Sequence, residues 1–518
     1  MKNISVFTDK IKFPNDRFWA ASGSDELYAM AYSPEGEFLM KRMDSLGTCR
    51  YVRNHYTFNH EIRSGVRCGG DVYSENENGE SVYDFTWING VYRKFVENGI
   101  KPIVELDFLP DKLASLSGDV TQEGTGEKYN NRFYPNDWEK WTALLKAFVR
   151  NLADEFGLEE IRTWYFEVWN EPDSWPLESW SMFYKMYDIF VDAVTSVDEK
   201  FRVGGPGCFT QQFMFSFLDH VANGTNYVTG EKGTRIDFIS YHIYGMSGAD
   251  NWLGSYPLIS PTVQRFSQDL MWVFERMVGR YPSLKNVEFH LNEWGVISNY
   301  DKSSSVFPPL EVRNSEYSAL FMIKLADTIL ELRCNFNLNL TMMLYWGFAG
   351  EDFFGKMFNG NRSLTTKYNI CKPIQTAHEF MSLLGSNFVE TDLKTGGDEG
   401  CIAAADENGA QALVYSFNEF DAERKLPDRE YNVEFSGLAD GKYTLKVYTL
   451  DDTHNNTFRL WERMGRPEVP DAEQLKALYA EQNISADTEF EAEVRNGKFS
   501  YSITVPSVSM KLISLEAI

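Results

Sequence analysis

The sequence predicts an α/β protein, a (β/α)8 TIM barrel followed by a C-terminal antiparallel β-sandwich accessory domain. Three observations predict it. The chain has 518 residues, which at roughly 150 residues per domain implies two to four domains, or one large barrel with an accessory domain. From about residue 15 to about residue 350, apolar β-type runs alternate with amphipathic helical runs. After about residue 360 the texture changes to short alternating runs separated by Gly, Asp and Asn turns.

In chain order, strands are expected at residues 18–23, 50–53, 102–107, 164–168, 202–205, 237–242, 287–292 and 341–346. Helices are expected between them, for example at 85–98, 137–155, 177–197, 262–280 and 315–333. Eight strand–helix units, with strands apolar enough to be buried on both faces, are the pattern of a closed parallel barrel, placed at residues 14–358. Periodicity does not encode strand order, so a doubly wound sheet is the alternative. Gly204-Gly-Pro-Gly207 lacks dinucleotide-binding spacing and reads as a turn at the barrel mouth. Residues 359–518 carry alternating runs at 400–405, 411–418, 431–435, 443–450, 499–505 and 508–515, with a helical insertion near 472–482. Residues 1–13 are expected to add a strand to this sandwich.

Composition bounds the function. With 50 Lys+Arg against 75 Asp+Glu, the formal net charge is −25, which excludes a nucleic-acid binder, since phosphate neutralisation needs clustered cations. The 38 Phe, 27 Tyr and 13 Trp argue against disorder. Rings in this number either fill a large core or offer flat faces to sugars. The start, MKNISVFTDKIKFPND, has no apolar run of signal-peptide length, because Thr8, Asp9, Lys10 and Lys12 interrupt it. No window is long and apolar enough for a transmembrane helix. Six scattered cysteines without a Cys-x-x-Cys pair read as reduced thiols. The expectation is a cytoplasmic protein with no membrane partner and no metal.

Two segments carry the chemistry. Tyr165-Phe-Glu-Val-Trp-Asn-Glu-Pro-Asp173 and Glu288-Phe-His-Leu-Asn-Glu-Trp-Gly295 are each an apolar strand ending in Asn-Glu. Catalytic groups of a barrel gather at the C-terminal ends of its strands. Glu171 and Glu293 would then face each other from strands four and seven. Two carboxylates flanking one bond are what glycoside hydrolysis requires. His242 and Tyr244, two residues apart on strand six, project to one face, and a Tyr hydroxyl would orient a carboxylate nucleophile and hold it ionised. Arg53 and His55 repeat that spacing on strand two, and Arg53 would lower the pKa of a nearby Glu. Trp346 ends strand eight as a ring on which a sugar can rest. Phe108, Trp169 and Trp294 also fall at strand ends beside the proposed carboxylates. No His-Glu-x-x-His pair, phosphate loop or Gly-x-Ser-x-Gly elbow occurs.

With these residues in view, Glu167-Val-Trp-Asn-Glu-Pro172 resembles the acid/base motif of retaining barrel glycosidases. More specifically, the chain resembles glycoside hydrolase family 39, which contains β-xylosidases and α-L-iduronidases. The resemblance rests also on Tyr83-Asp-Phe-Thr-Trp-Ile-Asn89, Gly99 to Ala114, Arg202-Val-Gly-Gly-Pro206, Lys372-Pro373, Asp452-Thr-His-Asn455, Leu460-Trp461 and Met464-Gly465. It implies that Glu171 is the general acid/base with a raised pKa, that Glu293 is the nucleophile, and that Asn170 binds the sugar 2-hydroxyl. It implies that Tyr244 and Arg53 steady Glu293, while His55, His242 and Phe108 line the sugar subsite. It implies no cofactor, a short oligosaccharide or glycoside as substrate, and an exo-acting β-xylosidase; a homo-oligomer is compatible with it. Other glycosides (glucoside, galactoside, arabinoside or iduronide) and a non-catalytic sugar-binding barrel are the alternatives. The acidic chain disfavours a uronate. The run after Trp346 departs from the family's xylosidases: Glu351 and Asp352 are displaced, and Phe354 stands where an acid is expected. The loop Asn292-Glu-Trp-Gly-Val-Ile-Ser298 also differs from the usual pattern.

Overall fold

The computed structural model describes residues 1–25, 27–59, 62–63, 66–67, 70–115, 133–246, 261–298, 303–348, 356–419 and 426–518. Strand β1 (Lys2–Pro14) precedes a closed barrel of eight parallel strands. The barrel strands are β2 (Ala21–Ser24), β3 (Tyr51–Asn54), β4 (Lys101–Leu106), β5 (Tyr165–Val168), β6 (Arg202–Cys208), β7 (Phe238–Met246), β8 (Glu288–Ile297) and β9 (Leu340–Trp346). Each pairs with its sequence neighbour, and β9 returns to β2 through Leu344 opposite Ala21, which closes the ring and disposes of the doubly wound alternative.

Three strands differ from the sequence expectation, each for a physical reason. β6 continues through Gly204-Gly-Pro-Gly207, so that segment is strand and not a turn. Its glycines are needed for closeness: a Cβ on Gly204 would lie 2.3 Å from the Phe238 carbonyl oxygen. β7 and β8 extend past His242 and Glu293, because their outer faces are covered by helices and stay apolar. β8 therefore does not end at Asn292-Glu293. It carries a bulge there instead: Leu291 pairs with Tyr241 and Glu293 with His242, leaving Asn292 as the extra residue. A bulge breaks the two-residue alternation, so Asn292 and Glu293 both turn into the barrel while Leu291 and Trp294 face outward.

The helical layer follows the expected units, with Thr86–Glu97, Trp138–Phe156, Trp180–Thr195, Val263–Arg280 and Glu316–Phe336 in the predicted places. Thr86–Glu97 shows why such helices form: Ile88, Val91, Tyr92 and Phe95 repeat at helical spacing and are buried against the barrel. Pro34–Leu46 and Gln211–Asn223 fill the first and fifth strand–helix units, for which the sequence reading named no bounds. The helix of the eighth unit is Pro373–Ser382, where His378 packs against Trp19. It lies beyond the 358/359 change of texture, so the barrel layer reaches further along the chain than composition suggests.

Apart from short strands paired in three two-stranded sheets, the strands that remain among the described residues are β10 (Asn387–Thr391), β11 (Glu399–Asp406), β12 (Gly409–Ser416), β13 (Arg429–Ser436), β14 (Gly441–Leu450), β15 (Thr488–Val494), β16 (Lys498–Val505) and β17 (Ser509–Ala517). With β1 they form one sheet in the order β15-β14-β17-β12-β11-β10-β1-β13-β16, antiparallel except where β1 meets β13. The sheet encloses its own core, including Val6, Val414, Val433, Leu445 and Leu515, and gives the β-sandwich. Between β14 and β15 sits a helical insertion, Thr457–Arg463 and Ala472–Glu481. Among the described residues no helix is long and apolar enough to cross a membrane.

Candidate active site

The lower barrel is filled by Ala21, Ile103, Tyr165, Phe238, Met342 and Leu344. Above them, toward the C-terminal ends of the strands, the interior becomes charged. Arg53 on β3 is wholly buried and serves several elements at once. Its Nε donates to Glu167 on β5 (2.7 Å), its Nη2 to Glu105 on β4 (2.7 Å) and to Asn170 Oδ1 (3.1 Å), and its Nη1 to Glu293 on β8 (3.4 Å). Burial alone would lower the Arg53 pKa, but Glu105, Glu167 and Glu293 outweigh it and hold the guanidinium charged. A buried cation persists only when paired in this way. Glu105 is raised well above the ordinary carboxylate range, chiefly by burial and against the pull of Arg53. Its other oxygen lies 2.8 Å from His55 Nδ1. Glu167 accepts from Arg53, from the Ser240 hydroxyl and, at 3.0 Å on each oxygen, from Asn292 Nδ2.

Glu293 sits above this network. Its Oε1 accepts the Tyr244 hydroxyl at 2.8 Å, and its Oε2 lies 3.5 Å from His242 Nδ1. Arg53 pulls its pKa down as expected, with His242 and Arg362. Burial is the larger effect, however, and with the like charge of Glu171 it leaves Glu293 raised above the ordinary carboxylate range. Holding the carboxylate ionised therefore takes several donors, not Arg53 alone.

β5 stops at Val168, three residues short of Glu171. Trp169 and Glu171 both adopt left-handed backbone, with φ of 69° and 47°. Such φ values are uncommon for residues other than glycine and need support from their surroundings. Here the Glu171 amide donates to Gly207 O (2.8 Å), and Asp173 Oδ2 accepts from the amides of Phe209 (3.0 Å) and Thr210 (2.7 Å). Asp173 is pushed up to about 6 by burial and by Glu171. The Glu171 Oε1 lies 2.9 Å from His242 Nδ1, so this imidazole, hydrogen-bonded to Glu171 and 3.5 Å from Glu293, sits between the two carboxylates. Burial lowers the His242 pKa. An oxygen of Glu171 and one of Glu293 lie within 4.8 Å of each other. The Glu171 side chain is 31% exposed and that of Glu293 is 8% exposed, so the pocket opens past Glu171.

The aromatic residues divide. Trp346 is 1% exposed, 4.7 Å from the His55 ring, with the Arg53 guanidinium 5.3 Å from it. It fits there because Gly23 has no side chain: a Cβ would come 2.6 Å from the indole. Phe108 packs on His55 (5.7 Å) and Trp169 (5.4 Å), and Trp169 on Trp175 (5.2 Å). Trp294 is not a pocket residue. It faces outward against Phe266, Phe321 and Tyr345, because alternation resumes after the bulge.

Sequence reasoning missed Glu105, Glu167, Asn292 and Ser240, and the pair Asp25 and Arg362. Arg362 Nη2 meets Asp25 at 3.0 Å and Nη1 donates to Tyr244 Oη at 3.1 Å. The signal for Glu105 and Glu167 was present, since a charge inside an otherwise apolar strand demands a buried partner. Arg362 comes from a loop without regular periodicity and left no local signal. Among the described residues, two triplets have the spacing to chelate a cation, His55–Glu105–Asp107 and Glu171–His242–Glu293; in both, the imidazole already lies within hydrogen-bonding distance of a carboxylate. Glu351, Asp352 and Phe354 lie outside the described residues.

Comparison with known proteins places the whole chain. The chain is 26% identical over 491 residues to the β-xylosidase of Geobacillus stearothermophilus, covering 90% of this chain and 86% of that protein. It is 24% identical over 515 residues to the β-xylosidase of Caldicellulosiruptor saccharolyticus, covering 97% and 96%. The crystal structure of a monomeric β-xylosidase from Caulobacter crescentus CB15 superposes over the full length of both chains, with a TM-score of 0.80 at 23% identity, a likeness of fold. The profile of glycosyl hydrolases family 39 matches residues 4–496. With that match over nearly the whole chain, on a barrel and sandwich of this form, the chain belongs to glycosyl hydrolases family 39.

Proposed function

We propose that this glycoside hydrolase is a retaining, exo-acting β-xylosidase that releases xylose from short xylo-oligosaccharides. The observation that carries the reading is the approach of Glu171 and Glu293 to within 4.8 Å, oxygen to oxygen. Retaining enzymes hold their carboxyls about 5–5.5 Å apart, whereas inverting enzymes leave room for a water, at about 6.5–9.5 Å. In this mechanism Glu293 attacks the anomeric carbon while Glu171 protonates the departing oxygen. The Glu293–sugar ester is then hydrolysed by a water that Glu171 deprotonates. The xylose assignment follows the relatives' activity.

The remaining roles follow from position. Tyr244 and Arg53 orient and charge-stabilise Glu293. His242, between the carboxylates, passes its hydrogen bond from one to the other as charge moves. Asn170, fixed by Arg53, presents its amide to the sugar 2-hydroxyl. His55, Phe108 and Trp346 form the wall of the subsite for the sugar. The substrate is a small neutral carbohydrate, which the charge of −25 does not repel. The working division is a catalytic barrel over 14–358, completed by the helix Pro373–Ser382, and an accessory domain built from the rest of 359–518 with the strand of residues 1–13, in a cytoplasmic protein.

A panel of aryl glycosides tests the assignment, with aryl β-xyloside expected to be turned over fastest. Glu293→Ala is expected to abolish turnover and to regain part of it with azide, yielding the glycosyl azide of inverted configuration. Inactive Glu293→Ala without azide product would remove Glu293 from the nucleophile's role, and wild-type silence on every aryl glycoside would remove the enzyme reading.

A further inference from the structure

We propose that the helical insertion of the sandwich domain holds Arg362 against Tyr244, which makes Trp461 and Phe458 positioning residues for the nucleophile. This rests on the reading of Glu293 as the nucleophile. The motif around Asp452-Thr-His-Asn455 and Leu460-Trp461 belongs to the accessory domain, and the hydrolytic pocket does not use it directly. Its contacts nevertheless lead there.

The insertion is bolted to the barrel at three points. Arg459 Nη2 meets Glu316 Oε1 at 2.7 Å, and Asn456 Nδ2 donates to Glu316 Oε2 at 3.0 Å. Glu316 is the first residue of the helix that follows β8. Thr457 Oγ1 donates to Cys371 O at 2.5 Å. The third point is apolar: Phe458 and Trp461 close on Phe358, with ring centroids 5.3 and 5.0 Å apart, in a buried cluster with Met357, Ile370 and Leu478.

Phe358 begins the stretch that delivers Arg362. Its backbone is left-handed, with φ of 46°, a conformation that a phenylalanine keeps only where its surroundings fix it. Its amide donates to Thr366 Oγ1 (2.7 Å), and its carbonyl accepts from Asn314 Nδ2 (2.7 Å). Two residues on, Gly360 O accepts from Arg313 Nη1 at 3.0 Å. Arg362 follows, its carbonyl receiving the Tyr345 hydroxyl (2.9 Å) and its guanidinium joining Asp25 to Tyr244. Tyr244 then donates to Glu293 Oε1. The aromatic peg of the accessory domain is thus linked to the carboxylate through one continuous set of packed and hydrogen-bonded groups. Arg362 also helps to keep Glu293 ionised by its charge.

The test uses the full chain and an aryl glycoside that the wild type hydrolyses. Trp461→Ala is expected to lower kcat about tenfold and to move the acid limb of kcat/KM to higher pH, because Arg362 no longer faces Tyr244 squarely. Trp461→Phe is expected to restore both. In an Arg362→Ala background, Trp461→Ala is expected to cost no more than about a further twofold, since neighbours in one network are not additive. Phe458→Leu, a smaller change, serves if Trp461→Ala does not fold. Val433→Ala, in the sheet core away from the peg, controls for general destabilisation and should leave the pH profile in place. A wild-type profile and rate in both Trp461→Ala and Phe458→Leu overturns the proposal, as does an undiminished loss in the Arg362→Ala background. If instead Glu293→Ala retains full turnover, the nucleophile reading fails first and this inference falls with it.

Discussion

One guanidinium arranges the charge of the pocket. Arg53 meets Glu105, Glu167 and Glu293, yet a single positive charge cannot neutralise all three. The structure distributes the excess by raising Glu105 far above its usual range and giving Glu167 donors from Ser240 and Asn292. What is left of the positive field reaches Glu293. Glu171 is partly exposed and hydrogen-bonded to His242, as suits a group that exchanges protons with substrate and water. Replacing it should therefore matter according to how much the leaving group needs a proton. Glu171→Ala is expected to spare glycosylation by aryl glycosides with acidic phenols, while losing about 10²–10⁴-fold with poor leaving groups, the range of general acid catalysis. Pre-steady-state rates on two such substrates measure it, and equal losses on both would assign proton transfer elsewhere. The identities of Glu171, Glu293, Tyr244 and Arg53 were legible because each sits in a short segment of unusual polarity within an apolar run. Arg362 and Asp25 were not, because their meeting depends on loop paths that no periodicity records.

The strands place these groups by departing from regularity at two points. The bulge at Asn292 turns two consecutive side chains inward, one to Glu167 and one to the pocket. On β6, Gly207 has φ of 58° and accepts the Glu171 amide through its carbonyl. A Cβ there would lie 3.3 Å from Arg53 Nη2 and from Glu167 Oε1. Gly207→Ala therefore combines backbone strain, about 1 kcal/mol or more for an alanine at positive φ, with pressure on the Arg53–Glu167 pair. A lower melting temperature together with a drop in kcat/KM is expected, and loss of stability with unchanged kinetics would show that Gly207 serves folding alone. At this scale the eight strands were legible almost in place, since burial on both faces writes a continuous apolar run. The bulge and the extension of β6 through its glycines were hidden, because both are set by neighbouring strands and not by local preference. The outward turn of Trp294 follows from the same bulge, which is why a strand-end tryptophan misled the sequence reading.

Across the whole molecule, the accessory sheet and the barrel share the helix Glu316–Phe336, which is buried on nearly every side, including Lys324 and Asp327. An amphipathic helix of an ordinary barrel would expose one face; here β12 and its flank cover it. Tyr415 from β12 donates to Asp327 Oδ2 at 2.9 Å, and Lys324 Nζ lies 3.5 Å from Glu419. Burial, reinforced by Glu331 and opposed by Tyr415, Thr395 and Lys12, pushes Asp327 up to about 7. An aspartate in the unfolded chain titrates near 3.9, so between those values the folded chain keeps a proton that the unfolded chain has released. Raising the pH across that window favours unfolding, by at most about 1.4 kcal/mol per pH unit, and the loss levels off above about pH 7. Asp327→Asn keeps an acceptor for Tyr415 and removes the ionisation. Its melting temperature relative to wild type is therefore expected to climb from pH 5 to pH 8, with the gain concentrated below pH 7. The comparison needs thermal unfolding of both proteins at several pH values in one ionic strength. A constant offset between the two curves would mean that Asp327 stays in one protonation state throughout, and that the junction of barrel and sandwich does not sense pH through this residue.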